Sequence, residues 1–168
     1  MAVTHKLIET VTVGSGGAAS IEFTSIPQTY TDLIIYLTTR STYGSVSDDG
    51  DLFFNGITTG RTCRFIYGNG SSAASATPPN DGFFTVADTA TANIFSSSTI
   101  YIPNYTSAIN KSFSSDTAGE NNGLAYMALM AGLWSNTAPI TSIQIVTAGG
   151  RGVWKEFSSA SLYGINNS

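Results

Sequence analysis

The residues best suited to chemistry in this chain are the acids of Asp48-Asp49-Gly50-Asp51. Calcium takes carboxylate and carbonyl oxygens from flexible loops, and this tetrapeptide has that composition. Its spacing departs from the twelve-residue calcium loop and no bidentate Glu closes it, so a solvated turn between strands is the competing reading. His5 is the single histidine, which excludes zinc sites built from several His and Cys ligands. A serine hydrolase would have to recruit His5, and no Gly-x-Ser-x-Gly elbow surrounds any serine. Glycosidase-type carboxylate pairs need two acids facing one cleft. Glu9, Glu22, Glu120 and Glu156 instead fall at strand or turn positions that read as solvent-facing. The glycine runs at 14–17 and 149–152 lack the strand-to-helix context and the lysine of phosphate loops, so they read as turns.

Cys63 is the sole cysteine and cannot form an intrachain disulfide. Its strand-like flanks, 61–67, suit a buried structural thiol; the alternative is a thiol activated by Arg64. No catalytic, metal-binding or cofactor-binding set emerges. Stacked rings, however, bind sugars, and Tyr43, Tyr67, Tyr101, Tyr105, Trp134 and Trp154 sit near strand ends or loops. Trp154 follows the 149–152 turn and is the best candidate for an exposed ring. Together with Tyr67, Asn69 and the unpatterned stretch 68–82, it forms the candidate ligand-facing region. Core or interface packing is the competing reading for these rings.

The scaffold for such residues is set by composition. Charged residues are 11% of the chain, under half the usual share of about a quarter. Ser and Thr supply 44 residues and Gly another 17, a composition of strands and turns. A net charge of -4 and only seven scattered Lys and Arg argue against nucleic-acid binding and against a polybasic membrane patch. No run approaches the ~20 apolar residues of a membrane span, and the N-terminus carries no signal-peptide hydrophobic region. A chain made in the cytosol, soluble or assembled, is expected. Strand edges with few charges invite pairing with other chains, which favours an oligomer or a docked subunit.

Along the chain, alternation predicts strands over 5–13 and 18–23, joined through the 14–17 turn as a β-hairpin. Residues 31–39 follow, with Leu33 to Leu37 apolar without interruption. A run that does not alternate wants cover on both faces, so this reads as a central strand. Residues 43–51 read as a polar loop, 52–54 and 61–67 as strands, and 68–82 as a long exposed loop. Residues 83–87 fit a short strand or a helical turn. Further strands are expected at 93–102, 109–116, 140–147 and 157–165. The apolar run 124–134 fits a long strand better than a buried helix, given the glycines that bracket it. The sum is a single domain, 1–168, of all-β class. It is an antiparallel, jelly-roll-like β-sandwich of eight to ten short strands with little or no helix.

The string Ile26-Pro27-Gln28-Thr29-Tyr30-Thr31-Asp32-Leu33, preceded by Ser20-Ile21-Glu22-Phe23 and leading to Arg40, resembles a module of virion proteins of tailed bacteriophages, cyanophages especially. Phe54-Asn55-Gly56 and Ser161-Leu162-Tyr163-Gly164-Ile165 resemble the same module's signatures. The resemblance covers roughly residues 7–165 and brings no catalytic residues. Such modules occur as capsid decoration (cement) proteins, head fibres and tail-fibre knobs. A free-standing chain without coiled-coil stem or shaft is expected to be a decoration or knob protein. The resemblance therefore implies a non-enzymatic structural protein of the virion, assembled from the host cytoplasm. It would dock on the major capsid protein, or another virion protein, as a homo-oligomer, with a trimer favoured. Val3, His5, Leu7 and Ile8 on the N-terminal strand are the expected docking residues, so removing residues 1–12 should abolish capsid binding and leave the fold. The alternative is a receptor-binding module for host-surface glycan on a head or tail fibre. Pro27, Tyr30 and Asp32 are expected to set the turn before the central strand. Tyr30 should pack beneath that turn, and Asp32 should accept backbone N–H groups.

Overall fold

The computed structural model describes residues 5–77, 82–121 and 126–166. Twelve strands account for nearly all of its regular structure, two more than the upper expectation. They are β1 (His5–Thr12), β2 (Ser20–Phe23), β3 (Asp32–Thr39), β4 (Ser47–Phe54), β5 (Arg61–Gly68) and β6 (Ala73–Ala76). They continue as β7 (Gly82–Val86), β8 (Ser96–Ile102), β9 (Lys111–Gly119), β10 (Tyr126–Trp134), β11 (Ile143–Thr147) and β12 (Ser159–Ile165). One 3-10 turn, Ala148–Gly150, follows β11. The strands form two antiparallel sheets, an eight-stranded one in the order β1-β12-β3-β8-β9-β10-β5-β6 and a four-stranded one in the order β2-β11-β4-β7. The chain is therefore an all-β sandwich whose strands cross repeatedly between unequal layers.

The core lies between the sheets. Leu33, Ile35 and Leu37 point inward from β3, Ile100 and Ile102 from β8, and Ile143 and Ile145 from β11. Phe54 packs against Phe113 and Trp134 with ring centroids 5.6 and 5.4 Å apart. Hydroxyls also enter the core, because a Ser- and Thr-rich strand must send some of them inward. They satisfy one another there. Thr39, Thr85 and Ser96 form a buried triangle at 2.9–3.2 Å, and Thr117 donates to Ser98 at 2.9 Å.

Several expectations are corrected. β1 and β2 are not a hairpin. β1 joins the large sheet beside β12, and β2 joins the small one beside β11, so the glycine turn carries the chain from layer to layer. Gly16 and Gly17, at φ 91° and 78°, allow that crossing, and a Cβ on Gly17 would meet the Trp154 carbonyl at 2.7 Å. Asp48, Asp49 and Asp51 lie in β4 itself, paired with β7 and β11, and not in a loop. The 68–82 loop contains β6, hairpinned onto β5. Residues 83–87 resolve as strand β7, and the described part of 124–134 as strand β10.

β3 is interior but not covered on both faces: Tyr36 is exposed and Ile34 half-buried. Asp32 accepts the Tyr101 hydroxyl at 2.7 Å and the Asn104 N–H at 2.8 Å, so it fixes the neighbouring turn at 103–106. Tyr30 lies against Gly164, where a Cβ would collide with its ring, and packs onto the core, while it is the Tyr105 hydroxyl that donates to the Pro27 carbonyl. Among the described residues Arg40 makes no cross-strand ion pair. Its guanidinium donates to the carbonyls of Asp88, Ala90, Thr91 and Ile94 at 2.7–3.1 Å, which organises the loop between β7 and β8.

Trp154 holds the two layers together. It is 0% exposed, its indole N–H donates to the Ile145 carbonyl at 3.0 Å, and its ring stacks on Phe83. Its backbone bridges both Ala18 and Ser41. Trp154→Ala should therefore lose about 3–5 kcal/mol of unfolding free energy, measured by urea denaturation. A loss below about 1 kcal/mol would show that the junction is not needed.

Candidate functional site

The ligand-facing residues expected from the sequence come together only in part: Tyr67, Gly68 and Ala73 to Ser75 border one groove, and Trp154 is not among them. Trp154 is in the core and presents no ring to solvent. Tyr67 is half-buried, joins Phe65, Phe84 and Tyr126 with centroids 5.3–6.2 Å apart, and also borders the groove at this end of the sheet. The Asn69 side chain accepts the N–H groups of Ser71 and Ser72 at 3.0 and 2.9 Å. It is an Asx-type staple of the β5–β6 turn. An Asn two residues before Ser-Ser is a readable turn signal, and turn-making is what it does.

The docking residues are also divided. Val3 lies outside the described residues. His5 and Leu7 are exposed on β1, an edge strand. Ile8 turns inward onto the core together with Val11. Strict alternation would place Ile8 and Val11 on opposite faces. A one-residue bulge between Leu7 and Glu9 resets the phase and puts both inside. Deleting residues 1–12 would therefore strip a core-covering strand, so it cannot separate docking from folding.

The acidic segment is occupied internally. Arg151 donates from Nε to Asp48 Oδ1 at 2.7 Å and pairs again through Nη2, while its guanidinium lies 4.2 Å from the Tyr43 ring centre. Asp51 accepts the Gly149 N–H at 3.1 Å. Among the described residues no three His, Cys, Asp or Glu side chains group as metal ligands. Cys63 is buried on β5, as its strand context suggested, and Arg64 donates to the Cys63 carbonyl at 2.7 Å.

A different surface stands out. Along β10, Ala128, Met130, Gly132 and Trp134 face the core while Met127, Leu129, Ala131 and Leu133 face outward. Met127 is 69% exposed, Leu129 59%, and Ile66 on neighbouring β5 57%. Strand register carries one outward row from Thr10 across Ser161, Tyr36, Thr99, Asp116, Leu129 and Ile66 to Ser75. The two flanking rows begin at Leu7 and Thr12, and in all three only Asp116 and Arg64 carry charge. At the β10–β5–β6 end this face dips into an open groove of about 760 Å³, lined by Ile66, Ala73, Asp116, Ala118, Met127 and Leu129. Beyond it β6, Ala-Ala-Ser-Ala, is exposed throughout and uncharged, and among the described residues it pairs only with β5. Natural sheet edges usually carry a charge or a proline to prevent strand addition. This one carries neither.

The sequence did contain the signal. Residues 124–134 are apolar at both parities, which an alternating strand with one wet face would not be. No protein family, characterised protein or solved structure matches this chain significantly.

Burial pushes the Asp49 carboxyl up to about 6 against the pull of Arg151, with Asp48 and Asp51 adding repulsion. An acid whose folded pKa exceeds its unfolded value of 3.8 favours folding when protonated. Its contribution is thus greatest below pH about 4 and falls away as pH rises to about 6. Asp49→Asn should therefore gain on wild type by about 1–3 kcal/mol between pH 4 and pH 7. Paired urea titrations at both pH values measure this, and a pH-independent difference would contradict it.

Proposed function

We propose that this chain is a non-enzymatic structural protein of a phage virion. In this reading it is a capsid decoration protein that docks as an oligomer, a trimer by preference, and ties major capsid subunits together. The observation that carries the reading is the outward face of the large sheet. A strand apolar on both sides has cover on one side only, so the exposed stripe of Ile66, Met127 and Leu129 awaits a partner. Monomeric proteins rarely leave such a patch contiguous with an uncharged open edge. The sequence resemblance to tailed-phage virion modules supplies the identity of the assembly, and a structural role asks for adhesion and no chemistry.

Adhesion here would rest on desolvating apolar side chains among hydroxyls, with Asp116 and Arg64 setting register. Interfaces of this kind concentrate their energy in a few central side chains. Leu129→Glu would place a charge at the centre of the stripe. It should weaken self-association or shell binding by at least about 30-fold, equivalent to ~2 kcal/mol. Because Leu129 is exposed, monomer stability should stay within about 0.5 kcal/mol. Sedimentation of the purified chain, together with occupancy on purified virions or capsids, measures both quantities. Unchanged association and occupancy in the variant would overturn this placement of the interface.

A further inference from the structure

At the end of the sandwich where β3 stops and β12 starts, a second cavity of about 490 Å³ opens, away from the outer sheet face. Its size falls within the ~300–1,000 Å³ of small-ligand sites. Thr42, Asp88, Asn93, Lys155, Glu156 and Phe157 line it. We propose that this cleft is a saccharide-binding site, with Phe157 as the stacking platform.

The backbone of Phe157 is the first reason. Its φ is 72°, in the left-handed region, and the residue is 68% exposed. A bulky side chain in that region is an outlier, since Gly or Asn would make the same turn with less strain. Asn93, which also lines the cavity, has φ 63° and is the kind of residue such a position tolerates. The turn carrying Phe157 is held firmly. Its N–H donates to the Val13 carbonyl at 3.0 Å, and the Ser158 N–H donates to the Lys155 carbonyl at 3.0 Å. Strain of this sort persists where surrounding structure enforces it, and such positions cluster at ligand sites. The turn does not explain a phenyl group in water. A ligand for the ring does.

The polar groups select the ligand class. The Arg40 guanidinium beneath the cleft donates to four backbone carbonyls, so it is not presented to an anion. Lys155 Nζ pairs with Asp88. The cleft therefore presents a compensated ion pair, the Glu156 carboxylate, the Asn93 amide and the Thr42 hydroxyl, which already accepts the Val153 N–H at 3.0 Å and keeps its own proton to donate. Among the described residues a phosphate or nucleotide would find no uncommitted cation in this cleft. A pyranose fits these groups. Its C–H face carries the partial positive charge that the negative face of an aromatic ring attracts. Its hydroxyls both donate and accept, which suits a carboxylate with acceptor capacity beyond its ammonium partner and an amide with both functions.

The site is separate from the proposed assembly face, so the two readings stand or fall independently. The test uses the intact chain and a panel of neutral and acidic mono- to tetrasaccharides at up to about 10 mM, followed by saturation-transfer NMR and titration. At least one neutral saccharide is expected to bind. Phe157→Gly should weaken it at least about tenfold while the thermal midpoint stays level or rises, because the left-handed turn is relieved. Asn93→Gly, which keeps the permissive backbone and removes the amide, should weaken binding without unfolding the chain. Phe157→Trp should retain binding. Absence of binding across the panel, or equal binding by wild type, Phe157→Gly and Asn93→Gly, overturns the proposal.

Discussion

The two layers depend on one junction, the segment around Trp154. A sandwich whose strands alternate between sheets must cross at its ends, and each crossing leaves backbone groups outside the ladders. Here the crossing strands are gathered by a single residue. Ala18, leading into β2 of the small sheet, and Ser41, leaving β3 of the large one, both bridge to Trp154. The indole fills the space between them and donates to β11. One step on, the Lys155 N–H donates to the Arg40 carbonyl, and the Arg40 side chain orders the loop between β7 and β8. Both layers and the cleft at this end therefore inherit their geometry from the same few residues.

Much of the architecture was legible because strand signals are local. Period-two patterns marked β8 and β11, the apolar residues near its end marked β12, and turn residues separated them. What was not legible depended on partners distant in sequence. The hairpin expected at 14–17 had the right glycine turn, but a turn does not say whether the next strand stays in the layer. β12 and β11, some 120 to 160 residues away in sequence, settled that. β4 was hidden by its aspartates, which disfavour strands until Arg151 and the Gly149 N–H compensate them. The inward turn of Ile8 was hidden by a bulge, which adds a residue without changing composition. Trp154 followed a glycine turn and so looked exposed, yet residues around a tight turn can also be the point where two sheets meet.

The candidate surfaces were less legible than the fold, for a related reason. A pattern apolar at both parities means that both faces of a strand are covered somewhere, but not within which molecule. In β3 and β10 one face is covered by the small sheet while the other holds Tyr36, Met127, Leu129 and Leu133 in solvent. The expected cover is present on one face only, and the other face of both strands stays open in the chain itself.

The scarcity of charge ties these features together. Of seven Lys and Arg and eleven Asp and Glu, Asp32, Arg40, Asp48, Asp51 and Lys111 are buried. Each serves as an internal staple: Arg40 on four carbonyls, Lys111 on those of Ser107 and Ile109, Asp32 on the Asn104 N–H. Burying an ion is costly unless it is fully hydrogen-bonded, so these positions fix loops that hydroxyl-rich strands could not hold alone. Drawing ions inward also leaves few for the surface, where soluble monomers use them to keep strand edges and sheet faces apart. A chain that lives free in solution gains little from that distribution. One whose large face and open edge are covered in an assembly loses nothing by it, because an uncharged face desolvates at lower cost than an ionic one.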